Sequence, residues 1–158
     1  MDEQAKKTAL RMIPYGLFVL GVGEGQQATA STVNWITQAS FQPPIVVVGV
    51  KGGTETYDLV KATGKFAISV LGSGQRDIAF AYFKHVEPEG NKLAGYEFET
   101  KTTGAPIIVD APAWFECEVR NVLDVGDHSV VVGEVIEAGV HRETDTLTLK
   151  EVGVNYGG

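Results

Sequence analysis

The segment Lys51-Gly52-Gly53-Thr54-Glu55-Thr56 gathers the groups best suited to hold an anion. Two glycines let the backbone come close to a ligand, and a helix opening at Thr54 offers unpaired N–H groups with a partial positive charge. Lys51 adds a full charge, and Thr54 and Thr56 add hydroxyls, so the pattern fits a terminal phosphate. A capped turn beside a surface lysine has the same composition. A second concentration is Thr29-Ala30-Ser31-Thr32-Val33-Asn34-Trp35, followed by Ser40, where hydroxyls and an amide crowd one strand. These side chains either face a ligand or decorate a half-exposed strand that threonine favours on geometric grounds. A third is Gly126-Asp127-His128-Ser129, which sets a histidine at the mouth of the apolar run Val130 to Val135. An imidazole there can orient a ligand or move a proton, although a lone turn histidine often has no task.

Other chemistries lack their residues. His85, His128 and His141 are the only histidines, and their spacing matches no metal motif. There is no Gly-x-Ser-x-Gly elbow, no Walker loop and no Gly-x-Gly-x-x-Gly fingerprint after a strand. A chain without these groups can still run redox chemistry if a bound cofactor supplies the reactivity. His85 and His141 read as surface residues. Trp35, Trp114, Tyr82, Phe83 and Tyr156 read as core or interface aromatics. Cys117 reads as a small buried apolar residue.

The elements that must position these groups are mostly strands. A short helix over Asp2 to Met12 stops at Pro14-Tyr15-Gly16, and Leu17 to Leu20 begins the β region. A β-branched strand is expected over Ala28 to Ile36, and a two-sided buried strand over Ile45 to Val50, separated by Gln42-Pro43-Pro44. Thr54 is the N-cap of a helix ending near Gly64, and Lys65 to Leu71 returns as a strand. A second helix is expected from Gln75 to His85, then a loop over Glu87 to Gly95. Phe115, Cys117 and Val119 alternate with charged residues as in a strand with one wet face. Ser129 to Ile136 is a further apolar strand, and Thr146 to Leu149 a short last one. Many short strands with few helices predict a mainly β, single-domain chain over residues 1–158, folded as a split β-barrel of Greek-key type.

Composition narrows the partners. The chain has 158 residues, 20 acidic against 13 basic, and a formal charge of -7, which disfavours nucleic acid and anionic membranes. One cysteine permits no intrachain disulfide, and the first residues lack a basic start followed by an apolar run, so a cytoplasmic location is expected.

These segments resemble the flavin reductase-like family, whose members share an FMN-binding split β-barrel. The resemblance rests on Ser31-Thr32-Val33-Asn34, Ser40-Phe41-Gln42-Pro43-Pro44 and Lys65-Phe66-Ala67-Ile68-Ser69-Val70-Leu71. Gly126-Asp127-His128-Ser129-Val130-Val131-Val132-Gly133-Glu134-Val135 is its most specific piece. It implies that Thr32, Val33 and Asn34 line the isoalloxazine and ribityl region, with Ser31 a further cofactor-binding residue and Ser40 at the ribityl chain or phosphate. Lys51, Thr54 and Thr56 would take the phosphate, and His128 would lie near the flavin or nicotinamide. Trp35 stands where relatives often carry a small residue and would cover the flavin ring. The implied cofactor is FMN, with FAD as the alternative, and NAD(P)H is the co-substrate.

Such a protein is a homodimer that moves hydride from nicotinamide to flavin. The reduced flavin then passes electrons to free flavin, ferric chelates or a partner oxygenase. The competing expectation is a flavoredoxin-like electron carrier without a nicotinamide site. A relative of the pyridoxamine phosphate oxidases shares the barrel, but no motif here favours it.

Overall fold

A computed structural model describes residues 1–158. The chain runs α1 (Glu3–Arg11), β1 (Phe18–Val22), β2 (Thr29–Val33), β3 (Ile36–Ser40), β4 (Ile45–Lys51), α2 (Glu55–Thr63) and β5 (Lys65–Val70). It continues through α3 (Arg76–Ala81), β6 (Pro88–Glu89), β7 (Lys92–Leu93), β8 (Tyr96–Glu99) and β9 (Ile107–Ile108). Two long strands, β10 (Ala113–Leu123) and β11 (His128–Val140), and a helical turn, α4 (Leu149–Val152), complete it. Seven strands form one curled antiparallel sheet in the order β2-β1-β5-β10-β11-β4-β3, and β6 to β9 form a small second sheet. This is the mainly β split barrel that the strand pattern predicts. No helix is long and apolar enough to cross a membrane.

Period-two alternation divides the interior. In β5, Phe66 and Ile68 join the main barrel core with Leu20, Val22, Val48, Val50 and Val131. Ala67, between them, faces the opposite side and packs with Ala105, Ile107 and Trp114. A third cluster around Leu17, Leu71, Ile78, Tyr82 and Leu147 supports the helices at one end of the barrel. Gly21 in β1 is crossed so closely by residue 106 that a Cβ there would sit 1.9 Å from the Pro106 carbonyl oxygen. Only glycine fits beneath that crossing.

One buried carboxylate ties this crossing segment down. Glu116, expected on the wet face of its strand, is instead fully buried beside a register shift at Glu116/Cys117, and it accepts from the backbone N–H groups of Thr102 (3.0 Å) and Thr103 (2.9 Å) and from the Thr103 hydroxyl (2.5 Å). Its neighbour Cys117 is an inert thiol. Burial, and secondarily the charge of Glu116, pushes it up to about 12.

Several local expectations need correction. The single strand expected over Ala28 to Ile36 is two strands on opposite edges of the sheet, β2 and β3, with Asn34 at the break. The Trp35 carbonyl already belongs to the other edge, accepting from Gly49 N–H at 2.8 Å. The second helix stops at Ala81 rather than His85, because β2 takes its last carbonyls. Thr32 donates its N–H to Tyr82 O (3.0 Å) and its hydroxyl to Ala79 O (2.6 Å). The same contacts protect β2 as an edge strand. The expected loop over Glu87 to Gly95 holds the β6–β7 hairpin. Thr146 to Leu149 is no strand: Thr146 and Thr148 make isolated bridges to Gly72 and Gly16, and Thr148 then caps α4.

Candidate functional site

A cleft of about 470 Å³ opens where the curled sheet brings its two edges together. Its walls are β2, the turn from β4 into α2, the first residue of β11, and the chain just beyond α3. A hydroxyl contact spans the gap, with Ser31 Oγ on β2 lying 2.6 Å from Thr56 Oγ1 on α2. The pair has two protons, and one is consumed between them. The other is free for a ligand, because neither hydroxyl has a further partner.

Asn34 is the second open donor. Only 8% exposed, it lines the cleft at the β2–β3 break, and its Nδ2 is buried without a hydrogen-bond partner. A buried amide left in this state costs about 1–3 kcal/mol, which an acceptor on a ligand would offset.

The third part is the turn carrying Lys51. Thr54 caps α2 as expected, but its hydroxyl is committed twice: it donates to Lys51 O (2.7 Å) and accepts from Tyr57 N–H (3.2 Å). Thr54 therefore shapes the turn and has no proton left for a ligand. What stays open is the helix start itself, beside the exposed Lys51 ammonium.

Lys51 lies directly across the β4–β11 ladder from His128. The hairpin holding His128 is anchored to α2 by Asp124, which accepts from Ser129 (2.5 Å), Tyr57 (2.8 Å) and Lys61 (3.2 Å). Those bonds, led by that from Ser129, hold the Asp124 carboxyl below the usual carboxylate range. His128 Nδ1 lies 3.0 Å from Asp127 Oδ1, and Nε2 lies 2.8 Å from the Tyr156 hydroxyl. The imidazole also rests against Trp35, with ring centroids 4.6 Å apart.

Ser31, Thr32, Val33, Asn34, Lys51, Thr54, Thr56 and His128 thus converge on one cleft. Two expected site residues lie elsewhere, for the same reason. The chain reverses edge at Asn34, so Ser40 is carried to the far end of β3 opposite Ile45, outside the cleft lining. Trp35 turns behind the cleft, over Gly49 and against His128 and Tyr156. Its indole N–H is buried and unpartnered there. Trp35 supports the histidine rather than forming the cleft wall.

A model of the flavin reductase like domain matches residues 10–156. The chain belongs to the flavin reductase-like family. It is 31% identical over 140 residues to the NADH-dependent flavin reductase StyB of Pseudomonas fluorescens, covering 88% of this chain and 79% of that one. The flavin reductase component BorF of a bacterial two-component tryptophan halogenase superposes with TM-score 0.77 at 28% identity, over 94% of this chain and 92% of that one. The Streptomyces globisporus NADH:FAD oxidoreductase SgcE6, in complex with NAD and FAD fragments, superposes with TM-score 0.80 at 27% identity, over 92% and 86%. The chain spans only 25%, 40% and 24% of the length of three longer curated relatives.

The donor set suits the flavin of this family. A flavin ring system carries several acceptor atoms, and the cleft offers the orphaned Asn34 amide, one free hydroxyl proton, and an open helix start for a phosphate. The cleft also includes residues that sequence reasoning left on the surface or in the core. Phe83, Lys84 and His85 reach it because α3 ends early, and His85 is held by Glu55 at 2.7 Å and Glu87 at 3.4 Å. Tyr156 reaches it because the chain beyond α4 folds back over His128. No spacing in the sequence signals either arrival.

Proposed function

We propose that this protein is an NAD(P)H:flavin oxidoreductase that holds FMN in the cleft between β2, the β4–α2 turn and His128. The observation that carries the reading is the unpartnered Asn34 amide, a buried donor on a residue that lines a cleft with further open donors. When bound, the flavin supplies the chemistry, accepting hydride from nicotinamide and releasing electrons. The chain's own residues bind and orient. Asn34 and the Ser31–Thr56 pair donate to acceptors on the ring and its side chain. The α2 start and Lys51 attract the phosphate, and the apolar barrel keeps water from one side of the ring. Three names support the reading: an NADH-dependent flavin reductase, a flavin reductase component of a halogenase, and an NADH:FAD oxidoreductase.

FMN is preferred here because the phosphate-binding turn sits on the cleft itself, within about 470 Å³. A homodimer is part of the proposal. Met12 (79% exposed), Phe41 (87%) and Val125 (85%) leave large apolar side chains in water, and α1 buries no residue of its own.

The direct test is anaerobic mixing of the FMN-loaded protein with NADH and with NADPH. Rapid bleaching of the flavin absorbance by either one is expected. If neither nucleotide is consumed above background, the protein is a carrier and the reductase reading fails. The phosphate assignment has its own test in Lys51→Ala. This variant should weaken FMN about fivefold and leave riboflavin binding unchanged, since one exposed charge near a phosphate is worth about 1 kcal/mol. Equal losses for both ligands in calorimetry would remove the assignment. Thr54 is left intact in this test, because losing a helix cap of about 1 kcal/mol would blur the comparison.

A further inference from the structure

His128 is held at both nitrogens, and the identity of each partner fixes where its proton sits. Asp127 lies 3.0 Å from Nδ1, and the bond from His128 is the main reason its carboxyl stays below the usual carboxylate range. An ionised carboxylate can only accept, so Nδ1 carries the proton. In the neutral ring Nε2 then has only a lone pair, and the Tyr156 hydroxyl 2.8 Å away must donate to it. Burial, and secondarily the charge of Asp127, raises the Tyr156 hydroxyl above its ordinary range and keeps it a donor. The Trp35 ring at 4.6 Å fixes the imidazole plane. Both His128 and Tyr156 line the cleft.

We propose that Tyr156 is a positioning residue and a placeholder: it holds His128 as the Nδ1-protonated tautomer and occupies an acceptor, Nε2, that a donor group on the second substrate takes over. Resting on the reductase reading, the donor group is the primary carboxamide of a nicotinamide. Its N–H replaces the phenol O–H one for one, and no proton changes owner. In this arrangement His128 recognises and orients. In the neutral Nδ1–H ring Nε2 has no proton to give, so in that form His128 acts as an acceptor and not as an acid.

The inference makes two measurements of Tyr156→Phe decisive. The first is the ¹⁵N spectrum of the His128 ring at a pH where the ring is neutral, in protein without flavin or nicotinamide. The wild type should show a protonated Nδ1 and a hydrogen-bonded, unprotonated Nε2. In the variant, the Nε2 resonance should move toward that of a free acceptor, or the Nε2–H tautomer should become populated. An Nε2 resonance identical in the two proteins would overturn the placeholder. The second is the KM for the nicotinamide nucleotide in FMN-loaded protein. Removing a competing internal bond should lower it about fivefold, with FMN affinity within twofold of wild type. A raised KM would show that Tyr156 serves only to build the cleft, and would also overturn the placeholder. The tautomer measurement needs no cofactor, so its failure is separable from that of the reductase reading, which fails instead on FMN binding and nucleotide consumption.

Discussion

Asn34→Ala is expected to weaken FMN and riboflavin alike by roughly ten- to a hundredfold while leaving the ligand-free protein as stable as wild type, within about 1 kcal/mol. The two halves of this expectation share one cause. In the ligand-free fold Asn34 is only 8% exposed, and its buried Nδ2 donates to nothing. Truncation removes an unsatisfied group, so folding has little to lose and a desolvation cost to shed. Binding loses the donor that a ring acceptor would satisfy. Calorimetric titration with both flavins, with thermal melts of the free protein, reads the two effects separately. Loss of FMN binding together with a large fall in melting temperature would mean that Asn34 holds the β2–β3 break together. Unchanged flavin affinity would remove it from the site.

Glu116→Ala should do the reverse, costing about 3 kcal/mol of stability and leaving flavin affinity within twofold of wild type. Three donors converge on this carboxylate, two backbone N–H groups and a hydroxyl, and the side chain is fully buried. Alanine would strand all of them where water cannot reach. For a domain of this size the melting temperature should fall by about 6–12 °C. Glu116→Gln keeps one carbonyl oxygen for the Thr103 pair and should lose about half as much. A loss below about 1 kcal/mol in the alanine variant would show that residues 102 and 103 find other acceptors, and that the crossing over Gly21 does not depend on this carboxylate. The pair of variants separates two uses of a buried polar group. Glu116 is saturated and serves the fold, whereas Asn34 is left open and serves a ligand.

Much of the architecture was legible because it is written in local patterns. Alternation in Phe115, Cys117 and Val119 marked β10, and the apolar run from Ile45 marked β4, although only its Val46, Val48 and Val50 face is buried rather than both; Thr54 with Gly64 bracketed α2 at the positions observed. Gly64 ends α2 at a φ of 66°, a left-handed conformation that glycine adopts without steric cost. The two cleft segments of the sequence, Ser31 to Asn34 and Lys51 to Thr56, were also recognisable by composition. Errors fell where one segment's hydrogen bonds are decided by another. The strand over Ala28 to Ile36 breaks because the sheet needs an edge on each side, and α3 ends early because Thr32 captures its carbonyls.

The sequence alone determined which residue types were available, the presence of the longer strands β4, β5, β10 and β11, the caps of α2 and the family to which the chain belongs. Only the tertiary structure decided which of those groups still have hydrogen bonds to give. It committed Thr54 to its own helix, shared one proton between Ser31 and Thr56, left Asn34 open, sent Ser40 away and brought Tyr156 onto His128. The physical reason is range. Backbone dihedral preferences and capping act over a few residues and can be read along the chain. The saturation of a donor depends on the curl and register that bring residues 25 positions apart (Ser31 and Thr56) or 28 apart (His128 and Tyr156) into contact.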